Sequence, residues 1–221
     1  MLITTIMTVY NGEKYICEAI SSILNQTLPV DEFIIVNDGS TDNTENILKN
    51  YPQIKVINKP NSGMWNSLNI AIREATGNYL TFCDADDVWS SDKLELQYEY
   101  ASQNQDIDMI FCNCQQFKIN NSTKKIIYDE PQKGITQLCM MIKKDKFLEV
   151  GEFDSSLQAA FIYWFKKSQI KKFTYHVIPK SLAFRRVHDS NTTRDNKYKH
   201  DLTTLAKKLI EQRRKSQVNH D

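Results

Sequence analysis

Gly77-Asn78-Tyr79-Leu80-Thr81-Phe82-Cys83-Asp84-Ala85-Asp86-Asp87 is the stretch on which the reading of the chain turns. Tyr79 to Cys83 reads as a buried strand, and it runs straight into Asp84, Asp86 and Asp87. If extended geometry persists, alternation sets Asp84 and Asp86 on one side. Two carboxylates about 4 Å apart repel by roughly 4 kcal/mol at an effective dielectric of about 20. Such a cluster is kept where water solvates it or where it faces a cation. Mg²⁺ and Mn²⁺ take one or two carboxylates together with phosphate oxygens. A solvated acidic turn after a strand is the plain alternative.

Upstream of this stretch the chain alternates between strands and helices. Leu2 to Val9 reads as a strand that breaks at Tyr10-Asn11-Gly12. Ile16, Ala19, Ile20, Ile23 and Leu24 follow helical spacing, and Pro29 ends that segment. Phe33 to Val36 is a second strand, ending at Asn37-Asp38-Gly39-Ser40. Asp42 and Glu45 have capping-box spacing for a helix to about Lys49. Ile54 to Ile57 is a third strand, followed by Pro60-Asn61-Ser62-Gly63. Leu68, Ala71, Ile72 and Ala75 form a helical stripe, with Gly77 placed as a C-terminal cap. Downstream, Leu94, Tyr98 and Ala101 mark a helix capped by Ser90 or Ser91, and Met109 to Cys114 a fifth strand. This alternation predicts an α/β fold with a doubly wound, mostly parallel sheet. Ligands of such sheets bind beyond the carboxyl ends of the strands, where four polar clusters fall one after another.

After Cys114 the alternation stops. Gln116 to Ile119 and Lys125 to Tyr128 suggest a hairpin around Asn120-Asn121. Gln137 to Lys143 reads as a strand, Lys144 to Val150 as a short helix and Leu157 to Lys167 as an aromatic helix. Phe173 to Ile178 and Leu182 to Val187 read as extended. The last segment carries Leu202, Leu205, Ala206, Leu209 and Ile210 on one face and is otherwise basic. It either packs back on the domain or rests on an anionic membrane surface.

Bulk properties narrow the function. At 221 residues the chain holds one sizeable domain, and its net charge of +1 gives no polyelectrolyte signal for nucleic acid. No apolar run approaches the ~20 residues of a membrane span, and Met1 to Thr5 has no basic leader. Cys17, Cys83, Cys112, Cys114 and Cys139 are odd in number and include no C-x-x-C pair. They are expected to be reduced thiols of a cytosolic protein. Neither G-x-G-x-x-G after the first strand nor G-x-x-x-x-G-K-[ST] occurs, which argues against dehydrogenases and P-loop enzymes.

Taken together, these motifs resemble glycosyltransferase family 2, inverting enzymes of the GT-A fold. Thr8-Val9-Tyr10-Asn11-Gly12 with Ala19 to Thr27 is similar to the family's opening strand and helix. Val36 to Asp42 resembles its second-strand motif, and Asn61 to Gly77 its following loop and helix. Asp84-Ala85-Asp86-Asp87 resembles its D-x-D motif. The resemblance implies a GT-A-like sheet with a C-terminal mixed acceptor-side region. It divides the chain into a donor-binding half at 1–114, an acceptor-side half at 115–193 and a basic amphipathic helix or tail at 194–221.

It further implies transfer of a sugar from a nucleotide-diphosphate sugar to a hydroxyl acceptor, a glycan or lipid-linked sugar in polysaccharide or glycan synthesis. Tyr10 then stacks on the base, with Thr8 and Asn11 in the nucleotide pocket. Asp38 accepts from a base N–H or the ribose, which favours UDP. Asn61, Gly63 and Asn69 belong to the donor site, and Asp84 and Ala85 lie beside the ribose. Asp86 ligates Mn²⁺ or Mg²⁺, joined by His188. Each residue also has a plain structural reading: Tyr10 as a packing aromatic, Asp38 as a turn residue, Asn61 and Gly63 as a turn. Arg185 or Arg186 is a candidate phosphate clamp. The implied setting is cytoplasmic, with the inner membrane face reached through the C-terminal helix.

Two departures stand out. The family places an acidic general base shortly after a Gly-x-Phe-Asp segment. Gly151-Glu152-Phe153-Asp154 matches that segment, yet no Asp or Glu follows until Asp189. Asp154, Asp87 and Asp189 remain as candidate bases, and a catalytically degenerate binding partner is the rival reading. Ser67-Leu68-Asn69 stands where many relatives have Ala-Arg-Asn, leaving Lys59 or Arg73 as substitute cations.

Overall fold

The protein is described here by a computed structural model covering residues 2–120, 123, 125–189, 191 and 208. The first half follows the expected alternation. Strand β1 (Ile3–Val9) leads to α1 (Ile16–Leu24), β2 (Glu32–Asn37), α2 (Thr44–Leu48), β3 (Lys55–Asn58), α3 (Met64–Glu74) and β4 (Tyr79–Asp84). Next come a two-residue strand β5 (Val88–Trp89), α4 (Lys93–Gln103) and the long β6 (Met109–Ile119). The second half consists of β7 (Ile126–Tyr128), β8 (Gln132–Gly134), a 3₁₀ turn (Gln137–Cys139), β9 (Met141–Lys143), α5 (Lys144–Val150), α6 (Ala160–Ile170) and β10 (Tyr175–Arg186).

One sheet runs through all of it, in the order β3-β2-β1-β4-β9-β6-β10-β5, with β7 and β8 also paired to β6. The longest ladders, β1 with β2, β1 with β4 and β6 with β10, are parallel. The largely apolar strands β1, β2 and β4 are buried along almost their whole length, as a sheet covered on both faces requires. Edge strand β3 is half-buried to exposed. Helix α1 buries Ile16, Ala19, Ile20 and Ile23, the stripe predicted by its spacing, and α3 packs on β1 and β2.

Between β4 and the fifth long strand, β6, the strand β9 inserts antiparallel to both. Several expectations are corrected. Gln137 to Lys143 divides into a 3₁₀ turn and a three-residue strand. The two extended segments after Phe173 form one strand, β10, with register shifts around Ser181. The aromatic helix starts at Ala160 rather than Leu157. No capping box forms at α2: Asp42 accepts from the nearby Thr44 N–H at 3.0 Å, while Asn43 takes the cap position. Asp92, not a serine, stands at the start of α4, holding the Ser90 hydroxyl at 2.5 Å. Gly77 caps nothing. It lies against β1, where an added Cβ would come within 2.6 Å of Thr4 Oγ1 and 2.7 Å of Thr4 N. The hairpin of β6 and β7 forms as expected, with Phe117 opposite Tyr128, although Asn121 at its tip lies outside the described residues. The expected C-terminal helix also lies outside them, apart from Lys208.

Candidate active site

Parallel registers bring the motif residues to one edge. Val9 is level with Asn37, Asn37 with Asn58, and Thr8 with Asp84. The chain therefore leaves the sheet at four adjacent points, around Tyr10, Asp38, Lys59 and Ala85.

Side chains tie these exits together. Asn11, at a positive φ of 52°, accepts from Thr41 N at 2.8 Å through Oδ1, and its own N–H donates to Ser40 Oγ at 3.0 Å. The Gly12 N–H donates to Thr44 Oγ1 at 2.9 Å. Asn37 donates through Nδ2 to Asn58 Oδ1 at 2.9 Å. Asp38 is 3% exposed and receives the Lys59 ammonium and the Ser62 N–H on Oδ1, and the Gly63 N–H on Oδ2. Burial pushes this carboxyl up, but Lys59 and the two N–H groups outweigh it and hold it below the usual range. Gly39 closes the turn at φ +75°, where a side chain would meet Asn61 N at 2.7 Å. Beside this braced wall Tyr10 is 54% exposed, and Asn61 and Gly63 are open to solvent.

Asn69 faces inward. It is buried, its Nδ2 donates to Phe153 O at 2.8 Å, and its Oδ1 accepts from Phe153 N at 3.0 Å. It fastens α3 to the Gly151–Asp154 segment. The candidate substitute cations are engaged as well, Lys59 with Asp38 and Arg73 with Glu152.

The carboxylate cluster divides into three environments. Burial, then the charge of Asp86, pushes half-buried Asp84 up to about 7, opposed by Arg185 and by Gln137 Nε2 at 3.4 Å from Oδ2. Asp87 is buried, accepts the Arg186 N–H at 2.8 Å, and is also raised, by burial first and by Asp84 and Asp86 next. Asp86 is half-buried, and its Oδ2 meets His188 Nε2 at 2.8 Å and Asn191 Nδ2 at 3.3 Å.

Arg186 is not a phosphate clamp. It is 3% exposed, its Nε donates to Asp86 O at 2.9 Å, and its Nη2 reaches Glu18 Oε2 at 2.5 Å. Its guanidinium carbon lies 4.8 Å from the Tyr15 ring centre and 4.5 Å from that of Phe117. The Tyr15 ring also packs on His188, with centroids 4.9 Å apart. Tyr15 and Gln137 were not visible as site residues. An aromatic beside a loop and a glutamine in a polar stretch carry no sequence signal until their distant partners are known.

Asp86 and His188 present a carboxylate oxygen and an imidazole nitrogen to the same point, which suits a divalent cation of the Mn²⁺ type. Among the described residues no group of three or more His, Cys, Asp and Glu side chains is arranged to hold a metal. Two protein donors with the remaining positions left to phosphate oxygens and water is an ordinary arrangement for such ions.

The acceptor side differs. Helix α6 buries Ala160, Phe161, Trp164, Phe165 and Ser168, and its half-buried Ile162 and Tyr163 stand where an acid was sought. Asp154 accepts from Ser156 N at 3.1 Å and from Lys208 Nζ at 2.5 Å. Burial raises its pKa, and the Lys208 and Ser156 bonds more than reverse that, leaving it lowered.

The chain is similar to known proteins. Residues 4–190 match the model of glycosyl transferase family 2. An uncharacterized glycosyltransferase of Rickettsia typhi is 31% identical over 87% of this chain and 66% of its own length. The putative teichuronic acid biosynthesis glycosyltransferase TuaG of Bacillus subtilis is 41% identical over 46% of this chain and 42% of its own. Among solved structures, S. aureus TarS 1-349 in complex with UDP-GlcNAc superposes with a TM-score of 0.76 at 18% identity, covering 93% of this chain and 66% of that one. The mannosyltransferase PcManGT of Pyrobaculum calidifontis, in complex with GDP-Man and Mn²⁺, gives 0.73 at 18% identity, covering 95% and 64%. The chain spans less than two thirds of the length of these relatives. The likeness to the two structures establishes a GT-A type fold.

Proposed function

Since the chain belongs to glycosyltransferase family 2, we propose that it is a metal-dependent, inverting transferase acting on a nucleotide-diphosphate sugar. One observation carries this reading most: Asp86 and His188, 102 residues apart, meet at 2.8 Å on the edge where four strand exits converge. On this reading exposed Tyr10 stacks on the base, and Thr8 and Asn11 flank it. Asp38 holds the 59–63 loop as a pocket wall, and a UDP-sugar is the favoured donor. Asn61 and Gly63 line the open side, Asp84 and Ala85 lie along the ribose, and Asn69 fixes the floor through Phe153. Asp86 and His188 would hold Mn²⁺ or Mg²⁺, which when bound would supply positive charge against that of the leaving diphosphate.

Residues 1–114 are assigned to the donor and 115–193 to the acceptor, a hydroxyl of a glycan or lipid-linked sugar in polysaccharide synthesis. The setting proposed is cytoplasmic. Among the described residues no helix is long and apolar enough to cross a membrane, and peripheral contact through residues 194–221 remains part of the proposal. Asp154 is the assigned base and takes the acceptor proton once Lys208 has moved from it. The second reading, a nucleotide-sugar binder without turnover, is favoured by the acid-free α6 and by the Lys208 contact on Asp154.

Calorimetry with UDP, with and without Mn²⁺, tests the donor site. Mn²⁺ is expected to tighten UDP binding by about 10-fold or more in the wild type, and Asp86→Ala to remove that gain. Equal UDP affinity with and without metal overturns the metal-dependent reading. UDP and Mn²⁺ binding without turnover on any donor selects the second reading.

A further inference from the structure

The structure assigns Arg186 and Tyr15 as positioning residues that set His188 and Asp86 for the cation while touching neither donor nor metal. This rests on the metal site proposed above. The observation is a single assembly, centred on buried Arg186 and Phe117, made from three distant parts of the chain. Tyr15 lies just before α1, Phe117 on β6, and Arg186 at the end of β10. The guanidinium sits between the Tyr15 and Phe117 rings, at 4.8 and 4.5 Å from their centres. A planar, weakly hydrated cation is suited to such a slot, where an ammonium is not.

From there Arg186 reaches both ligands. Its Nε donates to the Asp86 carbonyl at 2.9 Å, so the guanidinium fixes the main chain that carries the Asp86 carboxylate. Its own N–H donates to buried Asp87 Oδ1 at 2.8 Å, pinning the acidic turn from its other end. Its carbonyl accepts Asn191 Nδ2 at 3.2 Å, and Asn191 Oδ1 accepts the His188 N–H at 2.7 Å, which shapes the turn presenting the imidazole. The face of that imidazole rests on Tyr15 at 4.9 Å. One tyrosine ring therefore borders the ligand and the clamp, with Lys14 Nζ 4.9 Å from the same ring. Glu18 completes the clamp from α1 at 2.5 Å, but its side chain is 59% exposed, so its share should be small.

Partners behind a metal ligand commonly change metal affinity by about 10–100-fold when removed. The test is Mn²⁺ binding read by paramagnetic resonance with saturating UDP, beside UDP binding without metal, on Arg186→Lys, Arg186→Met, Tyr15→Leu, Tyr15→Phe and Glu18→Gln. Arg186→Met and Tyr15→Leu should weaken Mn²⁺ about 10–100-fold, with metal-free UDP affinity within about 2-fold of wild type. Tyr15→Phe keeps the ring and should retain wild-type Mn²⁺ affinity, Arg186→Lys should fall between, and Glu18→Gln should shift it by less than about 3-fold. Should Arg186→Met fail to fold, Tyr15→Leu against Tyr15→Phe decides. Unchanged Mn²⁺ affinity in Tyr15→Leu and Arg186→Lys overturns the inference, provided His188→Ala and Asp86→Ala still lose the metal. If those two variants also bind Mn²⁺ normally, it is the metal site itself that falls.

Discussion

The two sides of the sheet's carboxyl edge are built differently. On the donor side, loops from four strands are held by side chains bonding to the main chain, and carboxylates are left half-buried beside one another. On the acceptor side, α6 and the Gly151–Asp154 segment are held by aromatic packing, with Trp164 stacked on Phe147 and Phe153 edge-on to Phe147. Of the two carboxylates that segment offers, Glu152 pairs with Arg73, and Asp154 is bonded by a lysine and a serine. Backbone register can place a cation site accurately on a rigid edge. Packing of apolar side chains fixes a surface but not a proton acceptor. On the function proposed above, the contrast makes donor grip and acceptor activation separable.

The strongest way to break that contrast is Asp154→Asn. It should lower transfer by about 10³-fold while UDP and Mn²⁺ affinities stay as in the wild type, measured by turnover and calorimetry. Retained turnover would move the base elsewhere and make the acceptor side purely a packing surface. Next comes Asp38→Ala, which takes the carboxylate from the half-buried Lys59 ammonium and from the Ser62 and Gly63 N–H groups. Denaturant unfolding should show a loss of about 2 kcal/mol. Because the Asp38 pKa is lowered in the fold, its contribution is present above the ordinary carboxylate range and fades as pH falls through the folded value. A smaller, opposite effect is expected for Asp84→Asn. The Asp84 pKa is raised to about 7, so the fold holds its proton where the unfolded chain has released it. Wild-type stability should fall as pH rises from about 4 to about 7 and then level off. Without metal, Asp84→Asn should be more stable at pH 8 by about 1 kcal/mol and equal to wild type at pH 3, by thermal unfolding.

How much of this was legible in sequence differs between the same two regions. The strands around Val9, Asn37, Asn58 and Asp84 could be read because continuous apolar runs and polar ends are local patterns. Strand β5 could not, since two residues carry no period. The insertion of β9 beside β4 is a long-range pairing that no local pattern encodes. Asn69 and Arg186 looked like site residues because buried polar side chains and exposed ones are spelled alike. Only their partners, Phe153 and Glu18, separate the two cases. Gly77 was misjudged for a related reason: its need for a bare Cα comes from Thr4 on another strand. Asp86 and His188 were named by resemblance, and geometry alone brings them to one point.

That meeting point also sets an order of events at the ribosome. Asp86 is made 102 residues before its histidine, and β10 must pair with β6 before His188 can reach it. At about 5–20 residues per second, the nascent chain carries its acidic turn for about 5–20 seconds without the opposing imidazole. On the function proposed above, the four strand exits that would frame a nucleotide are complete long before an ion could be seated, so an emerging chain would form its nucleotide cradle first and its metal centre last.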